Sequence, residues 1–356
     1  MRMFSMGQAI DRSGAAWRQI HAWPKIDLHR HLEGALRLST LAEIAREYQI
    51  PLPANSLEAL RPHVQMVDTD EANFGVFLSK FGALRQFFRS REIVRRVTME
   101  AIEDAAADNV KYLELRFTPN ALARYNGYSF DQVIEWVCDA TAQAQSKLGT
   151  HVRLIVSVNR HESLAIAERT LAAALDMGCD TIAGIDLAGL EVGHSADPFQ
   201  SLFRQAHAAG LGVTIHAGEW DGPKNIHDAV TRMGADRIGH GVRIVESRRV
   251  LDLVRERGVP LEICPTSNLQ TGAVHRLEEY PLAVLVAEGI CATINTDDPS
   301  LSGITLTDEL TLAYTALGLS METLKTVTRN AAQAAFLPDA ERAALVEQFD
   351  TALCTV

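Results

Sequence analysis

The segment His29-Arg30-His31-Leu32-Glu33 closes the apolar run 23–28 with two imidazoles one residue apart. In an extended strand alternate side chains share a face, so His29 and His31 stand roughly 6 to 7 Å apart on one side, close enough to grip one metal ion. Polar groups recur at equivalent places further on: His216 ends the run 212–215, His240 ends 237–239, and Asp297 and Asp298 follow 291–296. Three imidazoles and one carboxylate from different strands suit a borderline-soft ion such as Zn2+, with one position left for water. Such an ion lowers the pKa of its water from 15.7 to about 7, so hydrolysis is the first reaction class to consider.

Two further residues have the right chemistry beside such an ion. Glu219 lies three residues after His216 in His216-Ala217-Gly218-Glu219, where two small residues let the chain turn tightly. A carboxyl group held next to the metal but not bound to it can carry a proton between water and substrate. His240 is flanked by Gly239 and Gly241, which leaves room for a ligand; it could orient or deprotonate the nucleophile and stabilise developing charge. In Asn295-Thr296-Asp297-Asp298-Pro299 adjacent carboxylates point to different sides of a strand end, so one can bind metal while the other meets a substrate.

These residues need a scaffold that gathers strand ends. Short apolar runs predict eight strands, at 25–31, 110–118, 152–159, 182–188, 212–217, 237–240, 260–265 and 291–297, with helical periodicity between them at 92–108, 130–146, 162–176, 197–209, 226–233, 248–257 and 281–288. Gly178, Gly210, Gly258 and Gly289 stand where several of these helices would stop. Strict alternation implies a parallel sheet, and eight units imply closure into a (β/α)8 barrel of the α/β class, with its active site at the C-terminal strand ends. Glu114, Arg116, Asp186 and Gly189 fall at or near those ends too. The stretch 34–109 is far longer than an ordinary connection. It predicts extra helices, including 38–48 and 73–88, that cover the mouth as a lid insertion at about 35–109 within a single barrel domain spanning 1–356. Three more helices, near 306–317, 321–336 and 340–352, form a tail.

Composition bounds the function. The chain has 356 residues, 47% hydrophobic and 22% charged, enough for a large core. Lys plus Arg number 34 against 45 Asp plus Glu, a net charge of -11, which argues against a nucleic-acid partner. Five cysteines without a C-x-x-C pair argue against both a disulfide framework and a thiolate zinc site, and fit a reducing, cytoplasmic compartment. Residues 1–16 lack the apolar stretch of a secretory leader, and no run is long enough to span a membrane. Oligomeric state is left open.

Taken in order, His29-x-His31-Leu32-Glu33-Gly34, Asp186-Leu187-Ala188-Gly189, His216-Ala217-Gly218-Glu219, Gly239-His240-Gly241, Cys264-Pro265-x-Ser267 and Asn295-Thr296-Asp297-Asp298-Pro299 resemble the motifs of the adenosine deaminase family. The resemblance implies one Zn2+ on His29, His31, His216 and Asp297, and attack of hydroxide on C6 of the purine with His240 and Asp297 orienting it. It further implies that Glu219 protonates N1, that Asp298 meets N7 and that the Gly189 N–H meets N3, with inosine and ammonia as products. Substrate contacts would then fall to His31, Glu33, Gly189 and Asp298, with a purine nucleoside as the small-molecule partner.

Two positions depart from the family pattern. Glu33 stands where Asp commonly holds the ribose 5′ hydroxyl, and Asp-Leu-Ala-Gly-Asp-Glu is here Asp186-Leu187-Ala188-Gly189-Leu190-Glu191. Both touch the sugar side, which keeps adenine and 5′-modified adenosines, such as aminodeoxyfutalosine, as alternative substrates. Other readings have less support. His31-Leu32-Glu33 matches half of a cytidine deaminase signature, but the partner P-C-x-x-C is absent. A two-metal hydrolase would want a bridging Lys or Glu near the end of strand four, where 186–189 offers no Lys. A catalytically silent binding protein on the same barrel predicts the loss of a ligand or of Glu219, and none is lost.

Overall fold

The computed structural model describes residues 10–354; residues 1–9, on which the expectation of no secretory leader partly rests, lie outside it. Eight parallel strands follow one another around the sheet in chain order: β1 (Lys25–His31), β2 (Val110–Phe117), β3 (His151–Asn159), β4 (Ile182–Ala188), β5 (Gly212–Ala217), β6 (Arg237–His240), β7 (Leu261–Ile263) and β8 (Ala292–Ile294). Helices alternate with them, and the expected (β/α)8 barrel is what forms. The seam between β1 and β8 closes through the residues singled out above. Asp297 N donates to His29 O and His31 N to Asp297 O, each at 2.7 Å, and Leu28 N donates to the Asn295 side chain at 2.9 Å.

β7 and β8 are shorter than expected, for a local reason in each case. Pro265 lacks an N–H and sits at the first turn of the helix Pro265–Gln270, which ends β7 at Ile263. Asn295 pairs through its side chain, and Asp297 takes a left-handed backbone with φ 59°, so β8 stops at Ile294. The helix expected at 226–233 begins earlier, as Pro223–Asp228, and finishes in a π turn at Ala229–Met233. Short helices at Ala15–Ala22, Leu57–Val64, Pro119–Ala123 and Pro299–Ser302 were not expected; three of them are too short for periodicity to reveal, and Pro62 interrupts the pattern of the other.

The barrel interior is ionic where such barrels are commonly filled by branched apolar side chains. On β2 the outward Leu113, Leu115 and Phe117 are fully buried, while the inward Glu114 and Arg116 reach across to Arg237 and Glu262 on other strands and Tyr112 donates to Glu114 beside it. At the N-terminal end the Phe336 ring plugs the barrel under Arg237, 3.6 Å from its guanidinium carbon. Gly184 and Gly212 make that plug possible, since a Cβ on either would come within 2.8 or 2.6 Å of the ring. The long segment after β1 carries the helices Leu38–Glu47, Leu57–Val64 and Phe74–Leu84, and the last of these lies at the mouth of the barrel. The tail helices are Leu306–Thr315, Met321–Ala334 and Asp339–Cys354. Among the described residues no helix is long and apolar enough to cross a membrane.

Candidate active site

Strand ends bring His29, His31, His216 and Asp297 together, with one ligand atom from each lying within 4.8 Å of the others. Asp297 Oδ1 stands 3.2 Å from His29 Nε2 and 3.4 Å from His31 Nε2, and His31 Nε2 is 3.4 Å from His216 Nε2. The opposite ring atoms are engaged elsewhere. His29 Nδ1 lies 2.7 Å from Glu262 Oε2, and His216 Nδ1 lies 2.9 Å from Asp186 Oδ1. Carboxylates at both Nδ1 atoms hold the proton there and leave Nε2 as a bare lone pair. His29 Nε2 is buried without a hydrogen-bond partner. A convergent N3O donor set with an orphaned buried nitrogen is what a Zn2+ ion would satisfy.

Under the cluster, Arg116 ties the two orienting carboxylates together. Its Nη2 donates to Glu262 Oε2 at 2.9 Å and to Leu28 O at 2.7 Å, and its Nη1 is 3.5 Å from Asp186. Glu262 also accepts from Arg237 Nε at 2.7 Å and from Thr214 at 3.0 Å. Burial opposes ionisation of Glu262, but Arg116, Arg237 and His29 outweigh it and hold its pKa well below the carboxylate range. Asp186 is held down in the same way by His216 and Arg116.

Glu114 does not face the mouth as expected. It accepts from Phe336 N at 2.7 Å and pairs with Arg237 at the closed end, and Arg116 supports the cluster from below without lining the cavity.

Above the cluster opens a cavity whose empty space, counted together with the solvent at its mouth, is about 630 Å³. His31, Glu33, Gly189, His216, Glu219, His240, Asp297 and Asp298 all line it, together with Phe77, Leu78 and Phe81 from the helix Phe74–Leu84, and Arg85, Thr118, Asn159, His161 and Trp220. Of the residues expected to bind metal, act in catalysis or meet substrate, all but His29, which lies beneath, are therefore on one wall or another. His240 and Asp297 adopt φ of 62° and 59°, a left-handed backbone that costs a non-glycine residue of order 1–3 kcal/mol and marks functional strain.

The loop that presents Glu219 is held by a residue whose role the sequence did not disclose. Glu191 Oε2 accepts from the N–H groups of Glu219, Trp220 and Asp221 at 3.0, 2.8 and 3.0 Å. Its Oε1 accepts from Gly218 N at 2.7 Å and Asn225 Nδ2 at 2.9 Å. Gly218 takes φ 65°, and a Cβ there would meet the Ile226 side chain at 2.3 Å, so the turn is confined to glycine. Burial, then the carboxylates of Asp297, Glu191 and Asp298, push the Glu219 pKa well above its usual value, which favours the protonated form that an acid needs.

The same physics separates Asp297 from Asp298. Burial works against the charge on Asp297, but the imidazoles of His29, His240 and His31 around it hold its pKa well below the ordinary range. Burial, the charge of Asp297 and that of Glu33 push Asp298 well above it, and Asp298 Oδ1 is buried without a partner. Gly34 permits this placement, since a Cβ on it would lie 1.8 Å from that oxygen. Burial also raises Glu33, whose Oε1 accepts from Thr118 N at 2.7 Å while Oε2 has no partner. His240 is kept neutral by burial and by the neighbouring His29, His216 and His31.

A second donor set, His29, His240, Cys264 and Asp297, overlaps the first. Burial and the charge of Asp297 push the Cys264 thiol well up, which favours the imidazole set over it as the donor cluster.

A buried carboxyl group beside an N3O donor cluster at the mouth of a (β/α)8 barrel defines a barrel hydrolase. The chain belongs to the adenosine deaminase family, whose model matches residues 24–352. An adenosine deaminase of Shigella flexneri is 40% identical over 325 residues, covering 91% of this chain and 97% of that protein. Among solved structures, an adenine deaminase of Arthrobacter aurescens superposes with TM-score 0.85 at 29% identity, over 93% of this chain and 99% of that one. An amidohydrolase of B. ambifaria with bound zinc does so with TM-score 0.86 at 27% identity, over 96% and 95%.

Proposed function

We propose that this chain hydrolyses adenosine and 2′-deoxyadenosine to the corresponding inosine and ammonia, with one Zn2+ held by His29, His31, His216 and Asp297. The ion supplies activation of water at neutral pH. The observation that carries the reading is the pairing of the buried Glu219 carboxyl group with that donor cluster in one cavity. Glu219 gives a proton to N1 of the purine, which withdraws electrons from C6 and opens it to the entering oxygen. Neutral Asp298 offers an O–H to N7, a pure acceptor, and the Gly189 N–H faces N3. Phe77, Leu78 and Phe81 cover the ring, so the helix Phe74–Leu84 serves as the lid, and Glu33 meets the 5′ hydroxyl with its unpartnered Oε2. The proton that the entering water loses passes through a carboxylate to the amino nitrogen, the C6–N bond breaks to release ammonia, and the proton left on the new C6 oxygen returns to Glu219 as the carbonyl forms.

A second reading rests on Glu33, which is one methylene longer than the family's Asp and shortens the sugar end of the cavity. It favours adenine or a 5′-modified adenosine as substrate, and the Arthrobacter structure is of an adenine deaminase. Ammonia release with product identified by mass, from adenosine, 2′-deoxyadenosine, adenine and a 5′-extended adenosine such as aminodeoxyfutalosine, separates the two. Preferential turnover of the two nucleosides is expected; turnover confined to adenine or the extended compound replaces the first reading with the second.

A further inference from the structure

His240 touches three groups that together fix where its proton lies. Its Nε2 faces the cavity, 3.6 Å from Glu219 Oε2 and 4.0 Å from Asp297 Oδ2. Its Nδ1 lies 3.1 Å from the Asn268 side-chain amide nitrogen. Asn268 is fully buried in the helix Pro265–Gln270, and its other amide atom, Oδ1, accepts from the Tyr280 hydroxyl at 2.7 Å.

The amide cannot be turned over without loss. A separation of 2.7 Å is the usual length of an O–H···O bond and short for N–H···O. Reversal would set an NH2 group against the Tyr280 hydroxyl and leave its buried proton facing no acceptor, which buried polar groups avoid. With the oxygen committed to Tyr280, Asn268 presents N–H to His240 Nδ1, and an amide N–H requires a lone pair there. A neutral imidazole with a bare Nδ1 carries its proton on Nε2. The metal-site imidazoles His29 and His216 are built the opposite way, with carboxylates at Nδ1 and a free Nε2.

We propose that Asn268, braced by Tyr280, is a positioning residue that fixes His240 as the Nε2–H tautomer. His240 is then a hydrogen-bond donor to the entering oxygen and not the base that takes its proton, which passes to a carboxylate instead. The functional half of this inference rests on the deaminase reading, and the tautomer does not. Of the two roles that the sequence leaves open for His240, orienting or deprotonating the nucleophile, the structure assigns the first.

The test is 15N NMR of zinc-loaded protein labelled at histidine, without substrate, with the His240 resonances assigned by their loss in His240→Gln. Expected is one ring with an unprotonated Nδ1 and a protonated Nε2, distinct from the Nδ1-protonated ligands. Asn268→Asp, which presents only acceptors to Nδ1, should move the proton to Nδ1 and lower kcat by about a hundredfold, the effect of losing one preorganised donor, with KM nearly unchanged. Tyr280→Phe should allow both amide orientations and give a mixture of tautomers with a smaller loss. A protonated Nδ1 in the wild-type protein overturns the proposal whether or not the variants fold. So does a kcat that survives the tautomer shift in Asn268→Asp. Failure to turn over adenosine would remove the deaminase reading while leaving the wild-type spectrum to decide the tautomer.

Discussion

Glu191→Gln is the perturbation that tests most sharply how the fold delivers the acid. The carboxylate binds five donors, three on Oε2 and two on Oε1, and four of the five are successive backbone N–H groups of residues 218–221. Glutamine keeps one acceptor oxygen, which serves best where Glu219, Trp220 and Asp221 converge. Its NH2 then faces the Gly218 N–H and the Asn225 amide, so two bonds to a charged acceptor are lost. At about 1.5–3 kcal/mol each, that is about 3–6 kcal/mol at a residue 1% exposed.

The molecule can meet that cost in two ways. If the loop holds its place, the variant loses most of this amount in stability. If the loop shifts to relieve it, Glu219 leaves its position and kcat falls by about 10²–10⁴, the contribution of a placed general acid. Urea denaturation and steady-state deamination, run on the same preparation with zinc content checked, separate these outcomes. Loss of the negative charge also lowers the Glu219 pKa, which moves the alkaline limb of kcat to lower pH in whatever activity survives. Wild-type stability together with wild-type kcat would refute the assignment of Glu191 as the clamp.

Glu219→Gln should retain one zinc per chain and lose about 10²–10⁴ in kcat, and near-normal turnover would remove the proton-transfer role. Asp186→Asn should weaken zinc binding by about 10–100-fold, measured by competition with a chelator, because His216 loses the partner that holds its tautomer; unchanged affinity would show that Asp186 is structural only. Glu309 is fully buried with its pKa raised by burial from 4.5 to about 8. Its folded-state pKa lies above the unfolded one, so its contribution is fully present below about pH 4.5 and is lost as pH rises towards 8. Glu309→Gln, which still offers an oxygen to Thr266 N, should flatten the stability profile between pH 5 and 8, and an unaltered slope by urea denaturation would contradict a neutral Glu309.

The barrel and the metal cluster were legible in the sequence because both follow from local order. Each strand is a short apolar run ending in a polar residue, and strand ends in a parallel barrel converge whatever lies between them. His29, His31, His216, His240, Asp297 and Asp298 could therefore be placed together from position alone, while the choice of His29, His31, His216 and Asp297 as the metal set came from the family resemblance. The supporting residues were not legible in the same way. Glu262 stands in the middle of the buried run Leu261-Glu262-Ile263, and its only signal was a charge where none is expected without a partner. Asn268, Tyr280 and Glu191 act through side-chain geometry set by neighbours far along the chain, which no periodicity encodes. Glu114 was misplaced because alternation puts Glu114 and Arg116 on one face without saying how deep each lies, and the Phe336 plug that claims Glu114 is 222 residues away.

The most direct test of the central claim is a zinc titration of metal-stripped protein while ammonia release from adenosine is followed. The account predicts no activity without metal, a linear rise that breaks at one zinc per chain, and inosine as the product. Turnover by the stripped protein, a break at two ions, or full zinc occupancy with no inosine formed would contradict it.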